Sequence, residues 1–147
     1  MRWMVVMGLF GVTACGSYPA DAEGTLNAIK HAHVIRVGLI EGTQRSPNFS
    51  KVQSYLKQVS EDVGAKVEVR QGSAEALFAE IEQGSLDVAV GEIASDSPWL
   101  PDVAVVEPIA KRSVGHCSLG LSAIARNGEN AWIMVLERHA RDMKVKS

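Results

Sequence analysis

Between Gly72 and Pro108 the chain reads GSAEALFAEIEQGSLDVAVGEIASDSPWLPDVAVVEP, and this stretch restricts the folds open to the rest. Ser73 is placed as a helix N-cap, its hydroxyl able to accept from free N–H groups of the first turn. Glu75 and Ala76 occupy that turn, where a carboxylate suits the helix dipole. Leu77, Phe78 and Ile81 form an apolar stripe at helical spacing. Gly84 stands where a left-handed helix stop belongs. Leu86-Asp87-Val88-Ala89-Val90 is then a short apolar run rich in β-branched residues. It suits a strand covered on both faces, as in a parallel sheet flanked by helices. A loop and a second strand at Val103–Glu107 complete the unit.

The remaining chain keeps the alternation. Leu26 to Lys30 forms a short helical turn. His31-Ala32-His33 has the spacing of a metal pair, but a solvated turn before a strand accounts for it as well. Val34–Ile40 is the first strand, and Arg36, which breaks its apolar run, is assigned to an edge or a sheet end. Phe49, Val52, Leu56, Val59 and Val63 recur at three- and four-residue steps, giving an amphipathic helix over Asn48–Val63 stopped by Gly64. Ala65–Arg70 alternates as a half-buried outer strand would. The order β-α-β-α-β is that of a right-handed parallel sheet. Beyond Pro108, Ala110 to Gly115 reads as a polar connection, His116–Ile124 as a strand and Asn127–Asn130 as a turn. Ala131–Met143 reads as a helix with Trp132, Val135, Leu136 and His139 along one side. The expected fold is α/β, a three-layer α/β/α arrangement around a mainly parallel sheet of about five strands.

Several segments resemble the type II periplasmic solute-binding proteins of bacterial ABC transporters. Gln83-Gly84-Ser85-Leu86-Asp87 followed by Val88-Ala89-Val90 is similar to that family's helix, "x-G-x-x-D" turn and strand. Val103-Ala104-Val105-Val106-Glu107-Pro108-Ile109 resembles its hinge strand. Thr25-Leu26-Asn27-Ala28-Ile29 with Val34-Ile35-Arg36-Val37-Gly38 resembles its opening. The resemblance runs from Thr25 to Ile109 and implies small-solute binding between two lobes. At 147 residues this chain has room for one lobe, so the sequence predicts a single-lobe form. Two pieces of the family pattern are absent. The "G-F-x-x-D" segment does not occur between Glu41 and Asn48. Trp99 occupies the place where amino-acid-binding members carry an Arg that grips the ligand carboxylate. Trp99 is free either to stack on a ring or to pack against Pro98 or Pro101.

The amino terminus reads as an address. Arg2, an apolar stretch from Trp3 to Val12, and Val12-Thr13-Ala14-Cys15-Gly16 have the order of a lipoprotein signal and its lipobox. The expected division is residues 1–14 as signal peptide, 15–24 as tether and 25–147 as the lobe, with Cys15 lipidated. Acyl chains would then hold the domain to a membrane on the periplasmic side of the envelope, the outer membrane favoured over the inner. Cys117 remains alone and is expected as a small buried residue on a strand.

Composition removes other classes. Apolar residues are 46% and charged residues 22% of the chain, the profile of a soluble globular domain. A net charge of −2 with no basic cluster gives no footprint for nucleic acid. In an open α/β sheet, ligands bind in the crevice at the carboxyl ends of the strands. That places Glu41, Thr43, Gln44 and Arg45 after the first strand, and Glu92, Ser95, Asp96 and Trp99 after the third, as ligand-binding candidates. No base, metal or nucleophile accompanies the carboxylates Glu41, Glu92, Asp96 and Glu107, so no catalytic residue, metal or cofactor is assigned. The expected partners are a small polar solute, an ABC transporter permease or another envelope protein, and the membrane through the lipid anchor. The alternative is a regulatory envelope lipoprotein that has kept the fold and lost solute capture.

Overall fold

The computed structural model describes residues 20–99 and 101–145. The signal, Cys15 and residues 15–19 of the tether lie outside them. The elements are α1 (Thr25–Ala32), β1 (Val34–Ile40), α2 (Phe49–Val63), β2 (Lys66–Gly72), α3 (Ala74–Glu82), β3 (Val88–Ala94), β4 (Val103–Val105), β5 (Ala110–Val114), β6 (Cys117–Arg126) and α4 (Asn130–Val145), with one 3-10 turn at Thr43–Arg45.

The strands form one six-stranded sheet in the order β2-β1-β3-β6-β4, with β5 also paired to β6. β1 lies parallel to β2 and to β3. β6 enters antiparallel between β3 on one side and β4 and β5 on the other. The sheet is therefore mixed, with its parallel half where the β-α-β-α-β order predicts it.

Strand alternation sorts the side chains into two cores. Ile35, Val37, Leu39, Val88, Val90, Leu121, Ala123 and Ala125 meet α1, α2 and α4 on one face, around the fully buried Trp132 and Tyr55. Ala89, Ile124 and Val103 meet Leu77, Phe78 and Ile81 of α3 on the other. This is the expected three-layer arrangement. Gly38 permits it on the α3 side: a Cβ there would lie 2.7 Å from Leu77 Cδ2. The punctuation expected of the helices is present. Ser73 Oγ accepts from Ala76 N at 3.3 Å, and Gly64 and Gly84 take positive φ.

Three local expectations need correction. Ala110–Val114 is a strand, not a connection, because β6 is long enough to pair with it after β4 ends. Val103 to Val114 thus runs back along Cys117–Arg126 as one long hairpin, closed by Gly115 and His116. Cys117 is on a strand but exposed, since it sits at the hairpin tip beyond the helices. Finally, the folded unit begins before Thr25. The Asp21 carboxylate accepts from Leu26 N (2.7 Å) in α1 and from Trp132 N (2.9 Å) in α4. The buried Glu129 carboxylate accepts from Glu23 N (2.7 Å) and Thr25 N (2.8 Å). Two acids thereby cap two helices, satisfying N–H groups that helix starts leave free.

Candidate functional site

β1 and β3 end side by side, and the end of β1, the end of β3 with the loop that leaves it, and the start of α3 bound a cleft. After β1 the chain turns through Glu41 and Gly42 into Thr43–Arg45, then Ser46 and the start of α2. After β3 it turns through Ser95–Ser97 to Pro98 and Trp99. The cleft, of about 440 Å³, is bounded by Ile40, Ala74, Phe78, Glu92, Asp96 and Trp99, with Ile93, Ala94, Ser97 and Pro98 completing its wall. Trp99 stands edge-on to Phe78, ring centroids 6.0 Å apart at 68°, a favourable geometry for aromatic quadrupoles.

Glu92 is the most constrained polar residue of the group. Ser46 Oγ donates to its Oε1 at 2.8 Å. Arg112 of β5 grips it as a fork, Nε to Oε1 at 2.7 Å and Nη2 to Oε2. The hydrogen bond from Arg112, helped by the one from Ser46, holds the Glu92 carboxyl below the usual carboxylate range, against the opposite pull of burial. A general acid or base at neutral pH needs a pKa near 7, so this environment suits Glu92 to a fixed negative charge instead. Among the described residues no group of three His, Cys, Asp or Glu side chains gathers as metal ligands.

The structure brings Glu92, Asp96 and Trp99 together in one cleft. Ser95 lines a smaller neighbouring cavity of about 160 Å³ with Ile93, Lys111 and Ser118. Glu41, Gln44 and Arg45 are exposed on the first loop and do not bound the cleft. Thr43 is buried, and its Oγ1 has no hydrogen-bond partner among the described residues.

Two residues that sequence reasoning passed over matter here, Ser46 and Arg112. Ser46 was within the loop but unassigned. Arg112 was hidden by taking Ala110–Gly115 as a connection. The one signal for it was Gly115 just before the strand-like run His116–Ile124, a residue suited to the first position of a two-residue hairpin turn, and Gly115 does take φ 60° there.

No protein-family model and no curated protein matches the sequence. Solved structures do match the fold. A point mutant of domain 1 from TmArgBP, in its arginine-bound form, aligns with a TM-score of 0.68 at 15% identity, covering 82% of this chain and 98% of that one. An L-arginine-bound amino acid ABC transporter substrate-binding protein from Streptococcus pneumoniae aligns at 0.66 and 8% identity, covering 83% and 92%. An ancestral cyclohexadienyl dehydratase aligns at 0.65 and 10% identity, covering 88% and 93%. Binding proteins and an enzyme ancestor thus share this architecture, and fold alone does not choose between them. With helices on both faces of a β2-β1-β3-β6-β4 sheet and nearly the whole of a lone domain 1 matched, this chain has the fold of one lobe of a type II periplasmic solute-binding protein.

Proposed function

We propose that this chain is a non-catalytic, solute-binding-like lobe that works beside an ABC transporter on the periplasmic side of a bacterial envelope, held to the membrane through Cys15. The observation that carries the solute part is the cleft itself. Its wall includes Glu92, whose charge Arg112 already matches, Asp96, beside which no cation lines the cleft among the described residues, and the Phe78–Trp99 pair. Negative charge beside aromatic surface suits an organic cation, since ring faces attract ammonium and guanidinium groups. The ligand class favoured is therefore a small amine or guanidine, not an anion. The arginine-bound state of TmArgBP domain 1 supports the idea that one lobe can hold such a solute. The anchor rests on the order of charge, apolar stretch, small residue and Cys15 in the sequence.

A second reading is favoured by one specific observation. Glu92 already has Arg112 and Ser46 as partners. A regulatory lipoprotein that has lost solute capture would look the same. Thermal shift with arginine, lysine, putrescine, a neutral amino acid and a sugar separates the two. A ligand bound to the folded state raises the apparent melting temperature by mass action. Stabilisation by the cations alone upholds the first reading. A flat response to all five, with capture of an envelope protein, upholds the second.

A further inference from the structure

Far from the cleft, α1 and α4 lie beside each other and leave a groove of about 340 Å³. Leu26, Met134 and Val135 give it an apolar floor, and Lys30, Arg138 and Arg141 surround it. Among the described residues no carboxylate lines it. Met134 is 45% exposed.

We propose that this groove is the face by which the domain rests on the anionic phospholipid headgroups of the membrane that holds its anchor. The inference depends on the Cys15 anchor proposed above and adds an orientation to it. Two independent features support it. The first is chemical. Apolar side chains ringed by Lys and Arg are the pattern of helices that lie in a membrane interface. Arg138 already has a partner in Asp62 and Arg141 lies in the field of Glu107, whose first partner is Lys144, so Lys30 with Arg141 supplies most of the attraction. Each cation at an anionic surface raises binding about five-fold.

The second feature is where the chain leaves the domain. The Asp21 carboxylate holds Leu26 N and Trp132 N, so the chain exits across the starts of the two helices that wall the groove. From Ala20 back to Cys15 is five peptide units, about 18 Å at full extension. A leash that short, fixed at the head of the groove, keeps this face near the bilayer. The effective lipid concentration it meets is correspondingly high.

The test uses the full chain with Cys117→Ser and Met134→Cys, the new thiol carrying an environment-sensitive dye, reconstituted into phosphatidylglycerol-containing vesicles or into phosphatidylcholine alone. The dye should shift to the blue and be quenched by nitroxide-headgroup lipid in the anionic vesicles only. The signal should fall several-fold with Lys30→Glu plus Arg141→Glu, less with the matching Gln pair, and again at high salt, which screens such attraction. A dye at Glu82→Cys, at the end of α3 on the opposite face, should stay unquenched. Equal quenching in neutral vesicles, indifference to the charge reversal, or shielding that needs an added envelope protein would overturn the proposal. Intact mass of the same samples reads the acyl chains and the dye count. An unacylated chain whose residue-134 dye still responds to anionic lipid upholds the docking face and sinks the anchor. An acylated chain with an unshielded dye sinks the docking face alone.

Discussion

Arg36 and Asp87 are joined through the main chain as well as through charge. Asp87 Oδ2 accepts from Arg36 N at 2.7 Å and from Nε at 3.1 Å, Oδ1 accepts from Nη2 at 2.5 Å, and Asp87 N donates to Arg36 O at 3.0 Å. One residue of β1 and the residue before β3 are thereby pinned at the amino end of the parallel pair. Asp87 O also accepts from the buried Trp132 Nε1 at 2.8 Å, which ties α4 to the same point. The aspartate of the G-x-x-D turn is thus a structural pin on the side of the sheet opposite the cleft.

Asp87→Asn should lower stability by about 2 kcal/mol, the scale of hydrogen bonds to a buried charge, discounted because Arg36 is 43% exposed. Urea unfolding should show a lower midpoint with an unchanged slope. Ligand response in the cleft should be unaffected. If Asp87→Asn unfolds at the wild-type midpoint, the pin carries no weight.

Acid should loosen the amino-terminal caps. Burial pulls the Glu129 carboxyl upward, but the hydrogen bonds from Thr25 and Glu23 outweigh it and leave the group below its ordinary range. A depressed folded pKa means the unfolded chain takes up the proton first as pH falls. The contribution is therefore intact above the ordinary carboxylate value near 4.3 and disappears as pH drops through the folded one. Stability against pH should steepen below about 4.5, and Glu129→Gln should flatten that limb while costing about 1–2 kcal/mol at neutral pH. Chemical unfolding over a pH series checks both.

Two glycines should respond differently to alanine. A Cβ at Gly91 would lie 2.5 Å from Ile40 Cβ, an atom fixed to its backbone. At Gly38 the nearest atoms are the Cδ2 tips of Leu77 and Leu86, at 2.7 and 2.8 Å, and tips can rotate. Gly91→Ala should cost about 2–3 kcal/mol through overpacking, with Gly38→Ala milder. Gly91→Ala should also disturb solute response, since Ile40 bounds the cleft. Equal losses at the two sites would contradict this.

Arg112→Ala should free Glu92 and loosen the hairpin that presents Arg112. The Glu92 carboxyl then returns toward its usual range, because its largest stabilising partner is gone. Amide exchange should speed up in Ala110–Val114 and around Cys117 while β1 and β3 stay protected. A cationic ligand should bind this variant more tightly in a thermal-shift titration, its rival having been removed.

Much of the fold was readable because it is local. The three- and four-residue apolar steps of Phe49–Val63, the largely apolar run of Val34–Ile40 and the Ser73 cap each depend on neighbours in sequence. What escaped depends on distance along the chain. Asp21 and Glu129 are over a hundred positions apart, and nothing in a small polar segment advertises that it will close two helix ends. β5 has no apolar periodicity of its own, because at the tip of the hairpin neither face is covered, and its partner Cys117–Leu121 defines it. Glu92 and Trp99 were placed from their position after a strand, whereas Arg112 needed the hairpin to be recognised first.

The turn at Gly115 and His116 leaves two hydrogen-bonded strands ending shoulder to shoulder at the molecule's rim. A foreign module spliced in there would enter and depart through adjacent points, and the paired edge beneath it would not have to be rebuilt. The same tip is accordingly a place where added chain would lengthen the molecule without disturbing either core.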